Sequence, residues 1–464
     1  MQSYEEILDS HEEDEMQVKL NDGKTSVMRK INDLLDAGSF MEVGEHVSAR
    51  FTEFYQPDSV VESDGVVTGY GTIDGNLVFI YAQDSEVMGG TFGEMHGRKI
   101  VKLYSRAMKA GAPVIGLLDC AGFRIEEGLD GLNQFAKLYA IQAEAAGKVP
   151  QIAAVIGQCG GGMSISAEQN DFLFIDKDNG SLFVNPKGIV VNDIGDNSSV
   201  APSDDGKYEW NEIVAKIKKL VSVLPANSNV MAEVSEMSDE ELNRECNGIA
   251  SKAGDARAIL EMISDDGQLF ETNPDNGKDM VTGFIRITGQ SVGVAACNAV
   301  DGEKRVTADG LEKAAALVDI SSRFGLPLLT ITDTDGFNTT SSSEKYLPAA
   351  AGRLLKALAT SDVLKINLIT GNVTGSAYSL LNSRGLGADY AFMWDSAVAS
   401  IVNPRQAVEV LYGKWSQELE DQFTERQSGA VALARHGLVD KIIAPEETRK
   451  YLIGAFQTFV NSSR

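Results

Sequence analysis

The stretch that decides the fold is Val67-Thr68-Gly69-Tyr70-Gly71-Thr72-Ile73-Asp74-Gly75-Asn76-Leu77-Val78, because its pattern returns later in the chain. The second copy reads Val281-Thr282-Gly283-Phe284-Ile285-Arg286-Ile287-Thr288-Gly289-Gln290-Ser291-Val292 and lies 214 residues further on. The same displacement relates Asp119-Cys120-Ala121-Gly122-Phe123 to Asp333-Thr334-Asp335-Gly336-Phe337. One register that holds across such distant segments predicts two copies of one domain.

Short apolar runs bounded by Gly, Pro or Asp predict the strands of each copy. Leu77–Tyr81 and Val114–Leu118 are such runs in the first copy, and Leu328–Thr332 and Ile366–Ile369 belong to the second. Between the first two runs, Glu94–Ala110 is rich in helix formers and ends before a glycine, which predicts a helix. Strands that alternate with helices indicate an α/β fold.

The repeat also predicts the domain organisation. We place the boundary after residue 245, which gives an N-terminal domain over residues 1–245 and a C-terminal domain over residues 246–464. Met1–Phe54 is expected to be an acidic, helical leader. Val191–Tyr208 is rich in Asp, Asn, Ser, Pro and Gly, which predicts a loop.

The composition limits the partners and the cellular location. The 464 residues include 41 Lys and Arg against 67 Asp and Glu, a net charge of −26 that argues against a nucleic acid partner. No apolar run approaches the roughly 18 residues of a membrane span, and the acidic N-terminus does not resemble a secretory signal. The four cysteines form neither a disulfide framework nor a metal-ligand spacing. We therefore expect a cytoplasmic protein that neither spans a membrane nor binds a metal.

Two glycine-rich turns in each copy are the candidate sites. They lie at Asp119–Arg124 and Gly157–Gly162 in the first copy, and at Asp333–Phe337 and Gly371–Ala377 in the second. Each follows an apolar strand, and the later turn of each pair opens a helix whose first N–H groups lack partners within the helix. Because glycine lets the backbone bend sharply and approach a ligand, such turns can hold an oxyanion with main-chain N–H groups.

The turn at Gly157–Gly162 fits other glycine motifs less well. No Gly-Lys-Ser/Thr follows it, as a P-loop requires, and the spacing of a Rossmann fingerprint is not in place. Gly157, Cys159 and Gly161 match the cysteine form of a hydrolase nucleophile elbow, but only His436 follows as a base. The second copy has Val373 in place of Cys159, so a buried packing role for this thiol is favoured over a hydrolase.

Fragments along nearly the whole chain carry the pattern of a known family. They are Asp64–Gly75, Ala82-Gln83-Asp84, Gly93-Glu94-Met95-His96, Gly111–Leu117, Glu312-Lys313-Ala314-Ala315, Leu386-Gly387-Ala388-Asp389, Gly437-Leu438-Val439-Asp440, Pro445 and Thr448-Arg449. At these residues the sequence resembles the carboxyltransferase subunits of biotin-dependent acyl-CoA carboxylases, of the propionyl-CoA carboxylase β type. It is also similar to the carboxyltransferase subunits of biotin-dependent decarboxylases.

The resemblance implies two tandem crotonase-like (ClpP/crotonase) domains related by internal duplication, in agreement with the repeat. In the family the first domain binds acyl-CoA and the second binds carboxybiotin, and the active site forms between two subunits of a homo-oligomer, usually a hexamer. The reaction moves a carboxyl group between N1 of biotin and the carbon α to the thioester. Negative charge develops on the thioester oxygen and on the ureido oxygen of biotin, so two sets of N–H donors are needed.

The resemblance also implies roles for residues of the four turns. Gly161 and Gly162 would hold the enolate oxygen of the acyl-CoA, and Ser376 and Ala377 would hold the ureido oxygen of biotin. Residues that would line the pockets are Ala121, Gly122 and Phe123 on the acyl-CoA side, and Gly336, Phe337 and Gly375 on the biotin side. Ser379 occupies a position where the family tunes the size of the acyl group.

The chain departs from the family in two of the turns. Where the family reads Ser-Gly-Gly-Ala-Arg, the chain has Cys120-Ala121-Gly122-Phe123-Arg124, which places a bulky Phe beside the pocket. Where the family reads Arg-Lys-x-Tyr-Gly-Gly-Ala-Tyr, the chain has Gly371-Asn372-Val373-Thr374-Gly375-Ser376-Ala377-Tyr378 and lacks the basic pair. An altered acyl substrate, a decarboxylating direction, a biotin-independent crotonase-type acyl-CoA enzyme and a catalytically inactive structural subunit are the alternatives.

Biotin is expected on a partner chain. Met108-Lys109 is not flanked by the Ala-Met-Lys-Met tetrad of a biotin-carrying domain. The resemblance therefore implies a biotin carrier protein, with a biotin carboxylase or decarboxylase subunit, as partners. CoA carries several phosphate charges, so this acidic chain needs a local basic patch. The candidates share one helical stretch, for which a solvated face is the alternative, and are Arg98, Lys99, Lys102, Arg106 and Lys109.

Overall fold

The computed structural model describes residues 26–54, 62–185, 204–228, 242–265 and 267–460. The chain divides into two compact units, which we call unit 1, Met1–Val230, and unit 2, Met231–Arg464. The domain boundary placed after residue 245 lies close to this division and stays a prediction.

Unit 1 is built on a mixed sheet. Its described strands are β1 Met41–Glu42, β2 Val66–Ile73, β3 Asn76–Gln83, β4 Val114–Cys120, β5 Gln151–Gly160, β6 Phe172–Asp176, β7 Ser181–Phe183 and β8 Asp204–Tyr208. They follow the order β1-β2-β3-β4-β5-β6-β8, and β7 pairs with β5. The pairs β1–β2 and β2–β3 are antiparallel, and every later pair in the sheet is parallel.

Unit 2 repeats this sheet strand for strand. Its described strands are β9 Phe270–Thr272, β10 Met280–Ile287, β11 Gln290–Cys297, β12 Leu328–Thr334, β13 Lys365–Thr374, β14 Tyr390–Trp394, β15 Val398–Ser400 and β16 Lys441–Ile443. They follow the order β9-β10-β11-β12-β13-β14-β16, and β15 pairs with β13. The first two pairs are again antiparallel and the others parallel. Even the register shift recurs, after Leu118 in β4 and after Thr332 in β12.

Helices connect the strands of both sheets. The described helices of unit 1 are α1 (26–34), α2 Glu94–Ala110, α3 Gly128–Ala145, α4 Gly162–Ala167 and α5 Trp210–Val223. In unit 2 they are α6 Ala256–Ile263, α7 Ala308–Arg323, α8 Ser341–Thr360, α9 Ser376–Leu380, α10 Pro404–Tyr412, α11 Gln417–Phe423, α12 Ala430–Arg435 and α13 Thr448–Val460.

Helix α2 shows why the predicted elements form. Ile100, Leu103 and Ala107 recur at helical spacing and are buried, whereas Lys102 and Arg106 between them are exposed. The helix ends where Gly111 adopts φ 67°, a left-handed conformation that favours glycine. The hydrophobic strands around it are equally well buried, since Val114, Ile115, Leu117 and Leu118 of β4 have no exposed surface. Strands of a parallel sheet with both faces covered need such continuous apolar runs.

The structure confirms the predicted α/β fold with two duplicated domains, and it corrects two local predictions. The loop predicted over Val191–Tyr208 is wrong at its end, because Asp204–Tyr208 pairs with β6 as strand β8; residues 191–203 lie outside the described residues. The predicted helical leader is helical only over residues 26–34, and strand β1 follows at Met41–Glu42; residues 1–25 also lie outside the described residues.

Candidate active site

The two candidate turns of unit 1 lie side by side. Strands β4 and β5 are parallel neighbours, and Cys120 pairs with Cys159 at the ends from which both turns leave. A Cβ placed on Gly160 would lie 2.9 Å from the carbonyl oxygen of Ala121, and one placed on Gly161 would lie 4.0 Å from Gly122 Cα. The turns are therefore in contact, so Ala121 and Gly122 border the same site as Gly161.

Two adjacent main-chain amides are available in the later turn of unit 1. Gly161 has φ 58° and ψ −128°, a conformation that suits glycine, and its N–H donates to the Phe183 carbonyl at 3.0 Å. Ser164 N–H donates back to the Gly161 carbonyl at 3.2 Å. Among the residues that the structure describes, the N–H groups of Gly162 and Met163 between them have no acceptor.

The later turn of unit 2 has the same geometry. Gly375 has φ 67° and ψ −142°, and its N–H donates to the Ser400 carbonyl at 2.8 Å. Tyr378 N–H donates back to the Gly375 carbonyl at 3.1 Å, and the N–H groups of Ser376 and Ala377 find no acceptor within the described part of the chain. Each unit thus presents two consecutive amides at one turn.

The repeat relates these donors to each other. The displacement of 214 that aligns Gly161 with Gly375 also aligns Gly162 and Met163 with Ser376 and Ala377. The sequence-based assignment included Gly161, whose amide is bonded within the fold, and missed Met163. Applying the displacement to Ala377 is the signal that would have identified Met163. Holding an oxyanion stays a prediction for Gly161, Gly162, Ser376 and Ala377.

The remaining predicted pocket residues surround these turns. Phe123 is 39% exposed, and its N-terminal neighbour Gly122 has φ 130°. In unit 2 Phe337 is partly exposed, and a Cβ on Gly336 would lie 3.6 Å from the carbonyl oxygen of Thr374. Ser379 is exposed one turn into α9. The structure therefore brings the predicted residues of each unit to one edge of its own sheet.

A carboxylate at the end of the neighbouring strand holds each later turn. Asp119 Oδ1 accepts the N–H of Gln158 at 3.0 Å, and Asp333 Oδ1 accepts the N–H of Asn372 at 3.1 Å. The residue before each donor is a glycine, and a Cβ there would overlap the carboxylate. The glycine that begins each turn is thus required for space.

A buried ion cluster anchors the earlier turn of unit 1. Arg124 Nη1 lies 2.7 Å from both Asp64 Oδ1 and Glu127 Oε1, and the three side chains are at most 1% exposed. Arg124 Nη2 also donates to the Thr91 carbonyl at 3.0 Å. Burial raises the pKa of Asp64, and the charge of Arg124 opposes that rise. Because Arg124 directly follows Phe123, the cluster fixes the end of the pocket loop.

His96 connects this cluster to the end of β4. Its Nδ1–H donates to the Asp64 carbonyl at 2.9 Å, and the Gln83 side chain donates to Nε2 at 3.1 Å. Gln83 Oε1 in turn accepts the Asp119 N–H at 3.2 Å. Burial lowers the pKa of His96 to about 3, so the ring is neutral at pH 7 and acts as a structural link.

Two alternatives for single residues are wrong. Cys159 is fully buried, and burial raises the pKa of its thiol, which does not suit a hydrolase nucleophile. Lys99 is also buried, with its ammonium bonded to the carbonyls of Ser63 and Val66, so it cannot belong to a CoA phosphate patch. Lys102, Arg106 and Lys109 are exposed on the same helix and stay candidates, whereas Arg98 pairs with Glu94.

The described residues contain no group of three His, Cys, Asp or Glu side chains that could hold a metal ion. In that part of the chain, no helix has both the length and the apolar character needed to cross a bilayer.

Two consecutive segments of the chain match one protein family. The family described as a carboxyl transferase domain matches residues 19–208 and 209–464. The chain is 32% identical to the propionyl-CoA carboxylase beta chain of Roseobacter denitrificans, over 95% of this chain and 92% of that one. It is 30% identical to the methylmalonyl-CoA decarboxylase subunit alpha of Propionigenium modestum, over 94% and 90%.

A solved structure agrees with these sequence relatives. Transcarboxylase 12S, described as a hexamer with methylmalonyl-coenzyme A and methylmalonic acid bound, superimposes with a TM-score of 0.88 at 27% identity. The comparison covers 99% of this chain and 97% of that one. The chain therefore belongs to the carboxyl transferase family. The predicted tandem crotonase-like fold and acyl-CoA carboxyltransferase activity are confirmed.

Proposed function

We propose that unit 1 holds the acyl-CoA and unit 2 the carboxybiotin during transfer of a carboxyl group to or from the carbon α to the thioester. The observation that carries this proposal is a pair of amides at the same turn of each unit that have no acceptor among the described residues, Gly162 with Met163 and Ser376 with Ala377. A reaction that develops two oxyanions needs two such pairs. One aimed donor contributes about 2.7–4 kcal/mol to an oxyanion in enzymes where it has been removed.

The residues of unit 2 suit the ureido group of biotin. Biotin, when bound, supplies a ring nitrogen that carries the carboxyl group and a ureido oxygen that gains negative charge. Ser376 and Ala377 would donate to that oxygen, and Gly375 would hold both amides in place through its bond to Ser400. In unit 1, Gly162 and Met163 would donate to the thioester oxygen, which stabilises the enolate left when the α-proton or the carboxyl group departs.

A short-chain acyl-CoA is the expected substrate. The two relatives are named for propionyl-CoA and methylmalonyl-CoA, and the transcarboxylase contains methylmalonyl-coenzyme A. Phe123 is partly exposed beside Gly122 and would narrow an acyl pocket at this turn, which suits a small acyl group.

A homo-oligomer, hexameric as in transcarboxylase 12S, is proposed with a separate biotin carrier protein and a biotin carboxylase or decarboxylase subunit as partners. Each unit carries exposed apolar residues near a candidate turn, since Phe123 lies within the earlier turn of unit 1 and a Cβ on Gly375 would lie 3.3 Å from the carbonyl oxygen of Ile401. Surface A consists of Phe123, Ile125, Leu129 and Leu132, and surface B of Ile401, Val402, Val410, Leu411, Tyr412 and Trp415. Ile125 is 79% exposed and Val410 is 82% exposed, and contiguous exposure of this kind is typical of protein interfaces.

The test is carboxyl exchange by the purified chain between labelled methylmalonyl-CoA and a free biotin ester. We expect exchange that depends on biotin, with propionyl-CoA preferred over longer acyl groups. Turnover of thioesters without biotin would favour a crotonase-type enzyme that does not use biotin. No exchange with any thioester, even when a biotinylated carrier is added, would favour a structural subunit.

A further inference from the structure

The carboxylates that hold the two later turns are secured by different side chains. In unit 1 the second oxygen of Asp119 accepts the Ser85 hydroxyl at 2.6 Å. In unit 2 the second oxygen of Asp333 accepts the Lys304 ammonium at 2.6 Å. A neutral hydroxyl therefore bonds the carboxylate in unit 1, and a positively charged ammonium bonds the aligned carboxylate in unit 2.

Lys304 also belongs to the segment that shapes the earlier turn of unit 2. Its carbonyl accepts the Asp335 N–H at 2.7 Å and the Thr334 hydroxyl at 2.9 Å. Two residues later, Val306 N–H donates to the Gly336 carbonyl at 3.0 Å. Lys304 thus contacts both turns of unit 2: its carbonyl bonds the loop at Gly336, and its ammonium bonds Asp333, which holds the turn at Gly371.

The ion pair is placed where its loss would move the turn. The Asp333 side chain is 1% exposed and that of Lys304 is 27% exposed, so the carboxylate is buried and its counterion is at the surface. Without the ammonium, a buried carboxylate has to take up a proton or rotate toward water. Either change weakens its bond to Asn372 N–H, four residues before the first unbonded amide.

We propose that Lys304 is a positioning residue for the biotin-side amides, which it aims through Asp333. This inference rests on the proposed function, because it assigns Ser376 and Ala377 to biotin. It explains how unit 2 keeps its turn although the chain has no basic pair within Gly371–Tyr378. It also predicts that Ser85 does the same for the acyl-CoA side, so the two half-sites can be disturbed separately.

The first test is hydrogen exchange of the full chain, followed by mass spectrometry of peptides that contain residues 157–161 and 371–375. Lys304→Met should speed exchange in the second peptide about tenfold and leave the first unchanged, because only Asn372 loses its acceptor. Ser85→Ala should do the reverse. Unchanged exchange at 371–375 in Lys304→Met would overturn the inference, whether or not the chain transfers carboxyl groups.

The second test is kinetic and separates positioning from general stability. Lys304→Met should lower kcat/KM for the biotin ester about tenfold to a hundredfold, the range expected for a misplacement of about 1 Å, with the KM for acyl-CoA within twofold. Lys304→Arg should restore much of the loss, and the exposed Lys356→Gln is the matched control. Provided that the unchanged chain exchanges carboxyl groups, the inference would be overturned if Lys304→Met lowered kcat/KM equally for both substrates, or for neither. A wild-type chain that does not exchange at all would instead contradict the proposed function.

Discussion

Units 1 and 2 keep the same backbone at the candidate site and differ in the side chains behind it. Both later turns have a bonded glycine, two unbonded amides and a carboxylate contact. Behind the earlier turn, unit 1 has the buried Arg124 cluster, whereas the aligned Asn338 of unit 2 accepts the Thr340 N–H at 2.9 Å. What the duplication retained is thus the placement of main-chain N–H groups. We expect the backbone N–H groups to determine the chemistry of both units, and the side chains behind them to determine which ligand each unit prefers.

The largest effect should come from breaking the shared backbone. Gly161→Ala and Gly375→Ala each force an alanine into a conformation that costs about 1–3 kcal/mol, so the turn is expected to rearrange and move its amides. Space is not the cause at Gly161, because a Cβ there would lie 4.0 Å from its nearest neighbour. Loss of aimed donors should lower carboxyl exchange about a hundredfold to a thousandfold. The measurement is the exchange rate of each folded variant.

A matched control for these two variants is Gly352→Ala, since Gly352 is helical, exposed and free of neighbours within 4 Å. It should keep full activity and gain up to about 1 kcal/mol of stability. The resemblance implies that half-sites of different subunits act together. Refolding the two inactive variants as a mixture should then restore part of the activity, and full activity in either single variant would contradict the assignment.

The next largest effect should come from the buried ion cluster behind the earlier turn of unit 1. Arg124→Met leaves Asp64 and Glu127 buried without a counterion, which should destabilise unit 1 by about 3–5 kcal/mol. Because the loop at Phe123 loses its anchor, the KM for acyl-CoA should rise as well. Urea unfolding and substrate kinetics measure the two effects.

The comparison variant is Arg449→Met in unit 2. Arg449 is also fully buried and bonds Asp265 at 2.7 Å, but it lies in the last helix and not behind a candidate turn. It should lower stability without changing either KM in the folded fraction. If Arg124→Met and Arg449→Met raised the KM for acyl-CoA equally, the effect of Arg124 would have to be assigned to stability and not to the anchoring of the Phe123 loop.

Much of the architecture could be predicted from the sequence, because the repeat constrains it twice. Helix α2 was predicted with its observed bounds, since its apolar spacing and its terminal glycine both depend on neighbouring residues. The strand at Asp204–Tyr208 was missed because its sequence, Asp-Asp-Gly-Lys-Tyr, carries no apolar alternation. It forms because β6 offers a parallel edge, and such tertiary pairing leaves no local signal.

The candidate site could be predicted to within one residue of each turn. The glycines identified the turns, but only the structure reveals that the Gly161 and Gly375 amides are bonded to distant carbonyls, which leaves the next two amides available. Contacts between elements far apart in sequence, such as Lys304 with Asp333, could not be predicted. The positive charge of Lys304 does not indicate which carboxylate it pairs with, because that depends on how the strands are arranged in the folded unit.

A smaller difference between the units should appear on changing the pH. Burial lowers the pKa of His96 to about 3, below its unfolded value of about 6.5, so below pH 6.5 only the unfolded chain takes up this proton. The free energy of unfolding of unit 1 should therefore fall by about 1.4 kcal/mol per pH unit between pH 6.5 and 5. The raised pKa values of Asp64 and Asp84 act in the opposite direction at lower pH. Urea titrations at pH 7 and 5, followed by hydrogen exchange of peptides from unit 1, measure the change.

Two controls sharpen this pH comparison. His96→Gln should remove the slope, although it lowers stability at pH 7. The second control is the unfolding of unit 2, which does not contain His96 and should not follow this slope. A slope that survives in His96→Gln would assign the proton uptake to another group.

The smallest effect should come from the side chains that border the pockets. Phe123→Ala widens only the unit 1 site, so kcat/KM for butyryl-CoA relative to propionyl-CoA should rise about threefold to tenfold, less than a methylene is worth in a closed pocket. The reason is that Phe123 is already 39% exposed, so it would enclose a bound acyl group on one side only. Phe337→Ala, the aligned change in unit 2, should leave this ratio unchanged and alter only the response to the biotin ester. If Phe337→Ala shifted the acyl preference and Phe123→Ala did not, acyl-CoA would have to be assigned to unit 2 and biotin to unit 1. The paired amides of both turns would still be the proposed oxyanion donors.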